Sequence, residues 1–170
     1  ALGCAFLSGS KVLWLDTFNL DEAVNALPKC TVMMGVPTYY TRLLSHEKLN
    51  KEVVKNIRIF ISGSAPLLEE TFDEFYLRTG HEIIERYGMT ETNIISSNPV
   101  NGERKSGTVG VCLKGQALRI VDDGQNILGL DDIGNIQVKG SNVFKGYWNL
   151  PEKTKEDFST DNFFSTGDKG

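Results

Sequence analysis

The sequence predicts an α/β fold, in which a parallel sheet with flanking helices is followed by part of a β-rich, barrel-like region. Through about residue 106, short apolar runs alternate with segments of helical periodicity, the pattern of strands alternating with helices. From residue 107 onward, glycines punctuate short apolar runs, which is typical of a β meander or a small barrel. We therefore divide the chain into an α/β subdomain over 1–106 and a β-rich subdomain over 107–170.

Four apolar runs of the first subdomain are predicted to be strands, and they lie at 12–15, 31–34, 57–61 and 81–86. A helix is predicted after the first run, because Asn19 and Glu22 have the spacing of a capping box, and it ends near Pro28. Pro37 suits the first turn of a second helix. These strands and helices, taken in order, indicate a parallel sheet with helices packed on it.

A third helix is predicted after the run 57–61, with Ser64 as its cap and Pro66 in its first turn. In the β-rich part, 122–124 reads Asp-Asp-Gly, which predicts a hairpin turn. A solvated helix is predicted to begin near Pro151.

Composition places the chain among ordinary globular proteins, with 40% hydrophobic and 24% charged residues in 170 positions. A net charge of −4 with scattered lysines argues against a nucleic-acid partner. No apolar run approaches a membrane span, and three cysteines without a C-x-x-C pair suggest neither a zinc site nor a disulfide framework. We expect a reducing compartment, the cytoplasm or, in a eukaryote, the mitochondrial matrix; the oligomeric state is not determined.

Residues 87–91, Tyr-Gly-Met-Thr-Glu, follow the fourth predicted strand on a turn loosened by Gly88. Thr90 offers a hydroxyl beside the hard oxygen ligand of Glu91, a pairing suited to a nucleotide phosphate and its magnesium ion. An ordinary helix start explains the same pair equally well. Asp168, in a Thr-Gly-Asp tripeptide, offers a carboxylate for a ribose, although a plain turn also explains it.

Residues 62–66, Ser-Gly-Ser-Ala-Pro, follow the third predicted strand, and ligands of open α/β sheets bind beyond such strand ends. Glu69 and Glu70 would repel a phosphate from the next helix, so we assign Gly63, Ser64 and Ala65 to a flat neutral surface such as a purine face. The alternative is that Gly63 only permits a turn and Ser64 only caps a helix.

Three stretches together resemble successive core motifs of the adenylate-forming superfamily of acyl-CoA synthetases, luciferases and peptide-synthetase adenylation domains. They are 87–91, then 134–140 with 146–148, and 165–168. More narrowly, 60–67, 85–87 and 142–148 resemble malonyl-CoA synthetases. The resemblance covers nearly the whole chain and implies a fragment of the large N-terminal domain.

The resemblance implies an enzyme that joins a carboxylate to the α-phosphate of ATP and then passes the acyl group to coenzyme A. Thr90 would bind the α-phosphate, Glu91 the magnesium and Asp168 the ribose. In the superfamily the wall after Ile61 borders the acyl pocket, and we expect Ser62 and Arg86 to lie beside the substrate carboxylate. The nucleotide-binding set it implies is Gly63, Ser64, Ala65, Pro66, Glu85, Arg86, Tyr87, Gly88, Met89, Thr90 and Asp168.

Arg86 gives the sharpest hypothesis about the substrate. A diacid such as malonate or methylmalonate needs a cation for its unreacting carboxylate, and a guanidinium group grips a carboxylate with two hydrogen bonds. The alternative is an internal ion pair of Arg86 with Glu85 or Glu82.

Two parts that the superfamily uses lie outside this sequence: an upstream phosphate loop and a C-terminal domain with a catalytic lysine. We therefore expect the fragment alone to complete neither half-reaction. Another short- or medium-chain acid, an acid loaded on a carrier protein, or a non-catalytic nucleotide-binding module remain the alternatives to a malonyl-CoA synthetase.

Overall fold

The computed structural model describes residues 2–170, which pack as two compact units. One unit contains the chain up to Arg86 together with Asn98–Gly110, and the other contains Tyr87–Ser97 together with Val111–Gly170. The proposed subdomains 1–106 and 107–170 stay a prediction for the domain of the complete enzyme. Across residues 2–170, no helix has both the length and the apolar character needed to cross a membrane.

The first unit contains a parallel sheet with helices beside it, as predicted. Its strands β1 (Val32–Gly35), β2 (Ile59–Ser62) and the start of β3 (Ile83–Met89) pair in that order, with Phe60 opposite Ile83. The helices are α1 (Leu2–Leu7), α2 (Leu20–Ala26), a 3-10 turn (Leu27–Lys29), α3 (Pro37–Leu44) and α4 (Glu69–Thr79).

Aromatic packing forms the centre of the first unit. Tyr40, Phe60 and Phe75 are fully buried, and their rings meet edge to face with centroids 4.9–6.3 Å apart. The Tyr40 hydroxyl donates a hydrogen bond to the Ile61 carbonyl at 2.6 Å, as a buried phenol requires. This contact fixes the end of β2, where the candidate site begins.

Two local predictions in the first unit are confirmed. Asn19 caps α2, because its Oδ1 accepts the backbone N–H of Glu22 at 3.0 Å. Pro37 occupies the first turn of α3. Both features depend on contacts within a few residues, which is why the sequence shows them.

Two other predictions are wrong. In the described part of the chain, the run 12–15 pairs with no strand, and Val12, Leu13 and Trp14 are exposed; a strand needs a neighbour for its backbone hydrogen bonds. Ser64 does not cap a helix, because its φ of +72° is left-handed whereas an N-cap residue is extended. Helix α4 starts later, at Glu69, and lacks a side-chain cap.

The second unit is β-rich, as predicted. Strand β3 ends within it and lies next to β4 (Asn93–Ser97), which pairs antiparallel with β5 (Val111–Cys112). A separate three-stranded antiparallel sheet contains β6 (Gln116–Val121), β7 (Asn135–Gly140) and β8 (Phe164–Lys169). The predicted turn at Asp122 closes with a hydrogen bond from Gln125 N–H to the Asp122 carbonyl at 3.1 Å, and α5 (Pro151–Asp157) begins at the predicted proline.

Candidate active site

In the first unit, the loop that leaves β2 carries a buried hydroxyl. Ser62 is 1% exposed, and its Oγ has no hydrogen-bond partner within residues 2–170. A Cβ added to Gly63 would lie 3.3 Å from the Arg86 side chain, so glycine lets the loop pack closely on Arg86. Ser64, Ala65 and Pro66 are exposed. The loop therefore combines an unsatisfied buried hydroxyl with a surface open to a ligand.

Glu85 ties this loop to the rest of the first unit. Its side chain is buried, and its two carboxylate oxygens accept backbone N–H groups of Leu67 at 3.4 Å and Gly107 at 3.2 Å. Burial raises the pKa of Glu85, the two amide hydrogen bonds partly offset that, and the nearby Glu69 charge adds to it. Its assignment to nucleotide binding stays a prediction.

Arg86 lies beside the same loop and is half-buried. Of the carboxylates that the structure describes, none comes within ion-pair distance of its guanidinium group. Glu85 points its oxygens at backbone amides instead. The internal ion pair with Glu85 or Glu82, considered above as the alternative, is absent from residues 2–170, so Arg86 is available to an anionic ligand.

In the second unit, the Tyr87 motif begins in a strand, which corrects the prediction that the whole motif lies on a turn. Tyr87, Gly88 and the half-buried Met89 end β3, and only the residues after Met89 form the turn. A Cβ on Gly88 would lie 2.0 Å from the Asn93 carbonyl oxygen. Glycine is therefore required because β3 and β4 approach each other too closely for a side chain.

Thr90 and Glu91 lie in that turn. Thr90 is exposed and Glu91 is half-buried. The Glu91 carbonyl accepts the Phe144 N–H at 2.7 Å, and its Oε1 accepts the Tyr147 hydroxyl at 3.4 Å. The turn is thus held at both the backbone and the carboxylate.

Asp168 is exposed near the end of β8 and is also held by a tyrosine. The Tyr87 hydroxyl donates to Asp168 Oδ2 at 2.6 Å, and Asp168 N–H donates to Thr166 Oγ1 at 3.2 Å. Burial and the bond to Asp168 raise the pKa of Tyr87 to about 12. The phenol therefore stays a donor at neutral pH, and the structure brings the two predicted residues Tyr87 and Asp168 together.

The donor set around Glu91 fits a magnesium ion that arrives with a nucleotide. Among residues 2–170, no group of three or more His, Cys, Asp or Glu side chains is placed to hold a metal. Magnesium retains several waters and is commonly bound by one or two carboxylates plus substrate phosphates. Since Tyr147 contacts only one Glu91 oxygen, the carboxylate keeps free lone pairs for such an ion.

Sequence reasoning missed the residues that position the site. Tyr147 lies in a motif stretch for which the sequence predicts no contact, and it reaches Glu91 across 56 positions of sequence. Thr166 lies in the Thr-Gly-Asp tripeptide, and the sequence does not predict that it accepts from Asp168 and donates to the Ile136 carbonyl at 3.0 Å. No local pattern in the sequence signals either contact.

Comparisons with known proteins identify the family. The model of the family described as AMP-binding enzyme matches residues 1–148, and the chain belongs to this family. A Malonate--CoA ligase from Arabidopsis thaliana is 40% identical, over 96% of this chain and 28% of the relative. The fold is that of the N-terminal domain of adenylate-forming enzymes.

Two solved structures agree with that fold. The crystal structure of ATP-bound MatB from Rhodopseudomonas palustris is 48% identical with a TM-score of 0.96, over 99% of this chain and 34% of that protein. A malonyl-CoA ligase ternary product complex with methylmalonyl-CoA and AMP is 38% identical with a TM-score of 0.84, over 95% of this chain and 35% of that protein. The chain thus spans about a third of the length of the proteins it matches.

Proposed function

We propose that this chain is the central part of the N-terminal domain of an ATP-dependent acyl-CoA synthetase, and that the complete enzyme acts on malonate or methylmalonate. Membership of the AMP-binding family and 40% identity to a plant Malonate--CoA ligase support the reaction class. The likeness to a ligase structure that holds methylmalonyl-CoA and AMP supports the substrate class.

In the proposed reaction, a carboxylate oxygen of the substrate attacks the α-phosphorus of ATP and pyrophosphate leaves. The thiol of coenzyme A then attacks the acyl carbon of the adenylate, and AMP leaves. Thr90 binds the α-phosphate with its exposed hydroxyl, Glu91 holds the magnesium ion, and Asp168 accepts hydrogen bonds from the ribose hydroxyls. When bound, the magnesium ion would neutralise phosphate charge.

For the nucleotide base, we propose the loop after β2 in the first unit. Gly63, Ser64, Ala65 and Pro66 would offer the adenine a neutral surface, and the exposure of Ser64, Ala65 and Pro66 supports this. Glu85, Tyr87, Gly88 and Met89 complete the proposed set.

Three cysteines without a disulfide support a reducing compartment, the cytoplasm or the mitochondrial matrix.

The observation that carries the substrate proposal is the unpaired Arg86. Its half-buried guanidinium group has no carboxylate partner within residues 2–170, and it packs on the loop that begins with the unsatisfied Ser62 hydroxyl. A diacid has a second carboxylate that does not react and must not be buried unpaired. Arg86 and Ser62 supply the cation and the hydroxyl that this group needs.

Arg86→Leu in the complete enzyme tests this proposal. We expect kcat/KM for malonate and methylmalonate to fall at least about 30-fold, because removing one partner of a desolvated charge pair costs 2 kcal/mol or more. Acetate, which lacks a second carboxylate, should change far less. Substrate-dependent pyrophosphate release measures all three acids.

Arg58→Leu is the matched control, since Arg58 is exposed just before β2, and it should leave all three acids unchanged. Equal losses on malonate and acetate in the Arg86 variant would show that Arg86 does not read the second carboxylate. A wild-type enzyme that prefers longer acids or a carrier-bound acid would overturn the diacid proposal while keeping the chemistry.

A further inference from the structure

We propose that Tyr147 is a positioning residue for Glu91. Its hydroxyl orients the Glu91 carboxylate, which would hold the magnesium ion that arrives with ATP. This inference rests on the proposed function, because it concerns the residue to which that function assigns the metal. The inference goes beyond the proposed function because it names a group outside the Tyr87 motif that orients the metal ligand.

Backbone contacts first fix the turn that carries Glu91. Asn142 Nδ2 donates to the Thr92 carbonyl at 2.6 Å, and the Phe144 N–H donates to the Glu91 carbonyl at 2.7 Å. Thr92 is fully buried, so the turn is anchored rather than free in solvent. The segment 142–147 therefore holds both the backbone and the side chain of the turn.

The Tyr147 side chain is also held in place, by contacts of its backbone and of its ring. Its backbone N–H donates to Thr154 Oγ1 at 2.9 Å. At Gly146, whose φ is +146°, an added Cβ would lie 2.6 Å from the Thr154 side chain, so only glycine allows this approach. The Tyr147 ring packs edge to face on Phe144 with centroids 4.8 Å apart. These contacts deliver the hydroxyl to Glu91 Oε1 at 3.4 Å.

The Tyr147 hydroxyl carries a single proton, and Glu91 Oε1 lies within hydrogen-bond distance to accept it. Asp157 is a second carboxylate near this hydroxyl, but Lys153 Nζ lies 2.8 Å from its Oδ1 and offsets its charge. The single proton of the phenol is therefore available to Glu91.

A donor that contacts one oxygen orients a carboxylate without consuming its capacity to bind a metal. Outer partners of metal ligands typically change metal affinity by about 10- to 100-fold when they are removed. Since this contact is long for a hydrogen bond, we expect an effect at the lower end of that range.

Tyr147→Phe in the complete enzyme keeps the ring and removes the hydroxyl. Titration calorimetry of ATP should show about tenfold weaker binding in the presence of Mg²⁺ and unchanged binding in EDTA. Tyr76→Phe is the matched control, because Tyr76 is 48% exposed on α4, and it should bind ATP like the wild type in both buffers.

A double variant separates positioning from a general structural role. If Tyr147 acts through Glu91, adding Tyr147→Phe to Glu91→Gln should cause no further loss of magnesium-dependent ATP binding. Additive losses, or equal losses with Mg²⁺ and with EDTA, would overturn the inference. If ATP binding by the wild type depends on magnesium and the Tyr147→Phe variant binds ATP equally well, the inference alone is overturned. If the wild type binds no ATP, the proposed function is overturned too.

Discussion

The two compact units differ in how they hold the charged groups of the candidate site. In the second unit, Glu91 and Asp168 each accept a hydrogen bond from a tyrosine hydroxyl. In the first unit, Arg86 has no ion-pair partner among the described residues. Under the proposed function, the acidic ligands are preorganised by protein donors and the cation is left for an anionic substrate to complete.

Glu85 shows that this difference is not one between the two units. It belongs to the first unit, yet its carboxylate is held by two backbone amides. Acidic groups with fixed donors point in defined directions, which suits the binding of a metal or a ribose. A guanidinium group without a partner favours a ligand that brings a carboxylate.

The largest effect should come from Gly88→Ala, which tests whether the close approach of β3 and β4 sets the Glu91 turn. The added methyl group would lie 2.0 Å from the Asn93 carbonyl oxygen, so the strands must move apart at a cost of about 3 kcal/mol. A lower urea midpoint and reduced pyrophosphate release of the complete enzyme would both report it.

Gly3→Ala is the control for this change, because a methyl group there meets no atom within 4 Å and alanine favours the helix. Its urea midpoint should not fall. A Gly88→Ala variant as stable as the wild type would show that the turn does not depend on this approach.

A smaller effect is expected from Tyr87→Phe, which removes the restraint on Asp168 that distinguishes the second unit. A net hydrogen bond is worth about 1 kcal/mol, so the KM for ATP should rise about fivefold with little change in kcat. Because the folded-state pKa of Tyr87 is about 12, the effect should be constant across the neutral pH range. Steady-state kinetics measure the KM for ATP. An unchanged KM would show that the Tyr87 hydroxyl does not position Asp168 for ATP binding.

The smallest effect concerns the pH dependence of stability at Glu85. Its pKa is raised from 4.5 by burial first, so its contribution to stability is fully present below 4.5 and is lost as the pH rises through the folded-state value. Wild type should therefore lose stability relative to Glu85→Gln as the pH rises above 4.5. Urea midpoints across that range measure the difference.

Glu74→Gln, at an exposed position of α4, is the matched control, and its urea midpoint should change with pH as that of the wild type does. If the urea midpoint of Glu85→Gln also changes with pH as that of the wild type does, burial does not govern the protonation of Glu85.

Local patterns predicted well where the deciding contact is local. The Asn19 cap bonds to a residue three positions away, and Pro37 acts through its own fixed geometry. The strand prediction for 12–15 is wrong because a strand depends on a neighbour that the sequence does not specify. Ser64 failed because the loop after β2 places it in a left-handed conformation.

By itself, the sequence predicted a parallel sheet with helices followed by a β-rich part, named Thr90, Glu91 and Asp168 as candidate ligands, and raised the hypothesis that Arg86 reads a second carboxylate. These depend on periodicity and on short runs of residue types. Only the tertiary structure decided which of these groups are held and which are free. Tyr147 meets Glu91, and Tyr87 meets Asp168, across 56 and 81 positions of sequence, because hydrogen bonds between distant residues form only once the sheets have brought them together.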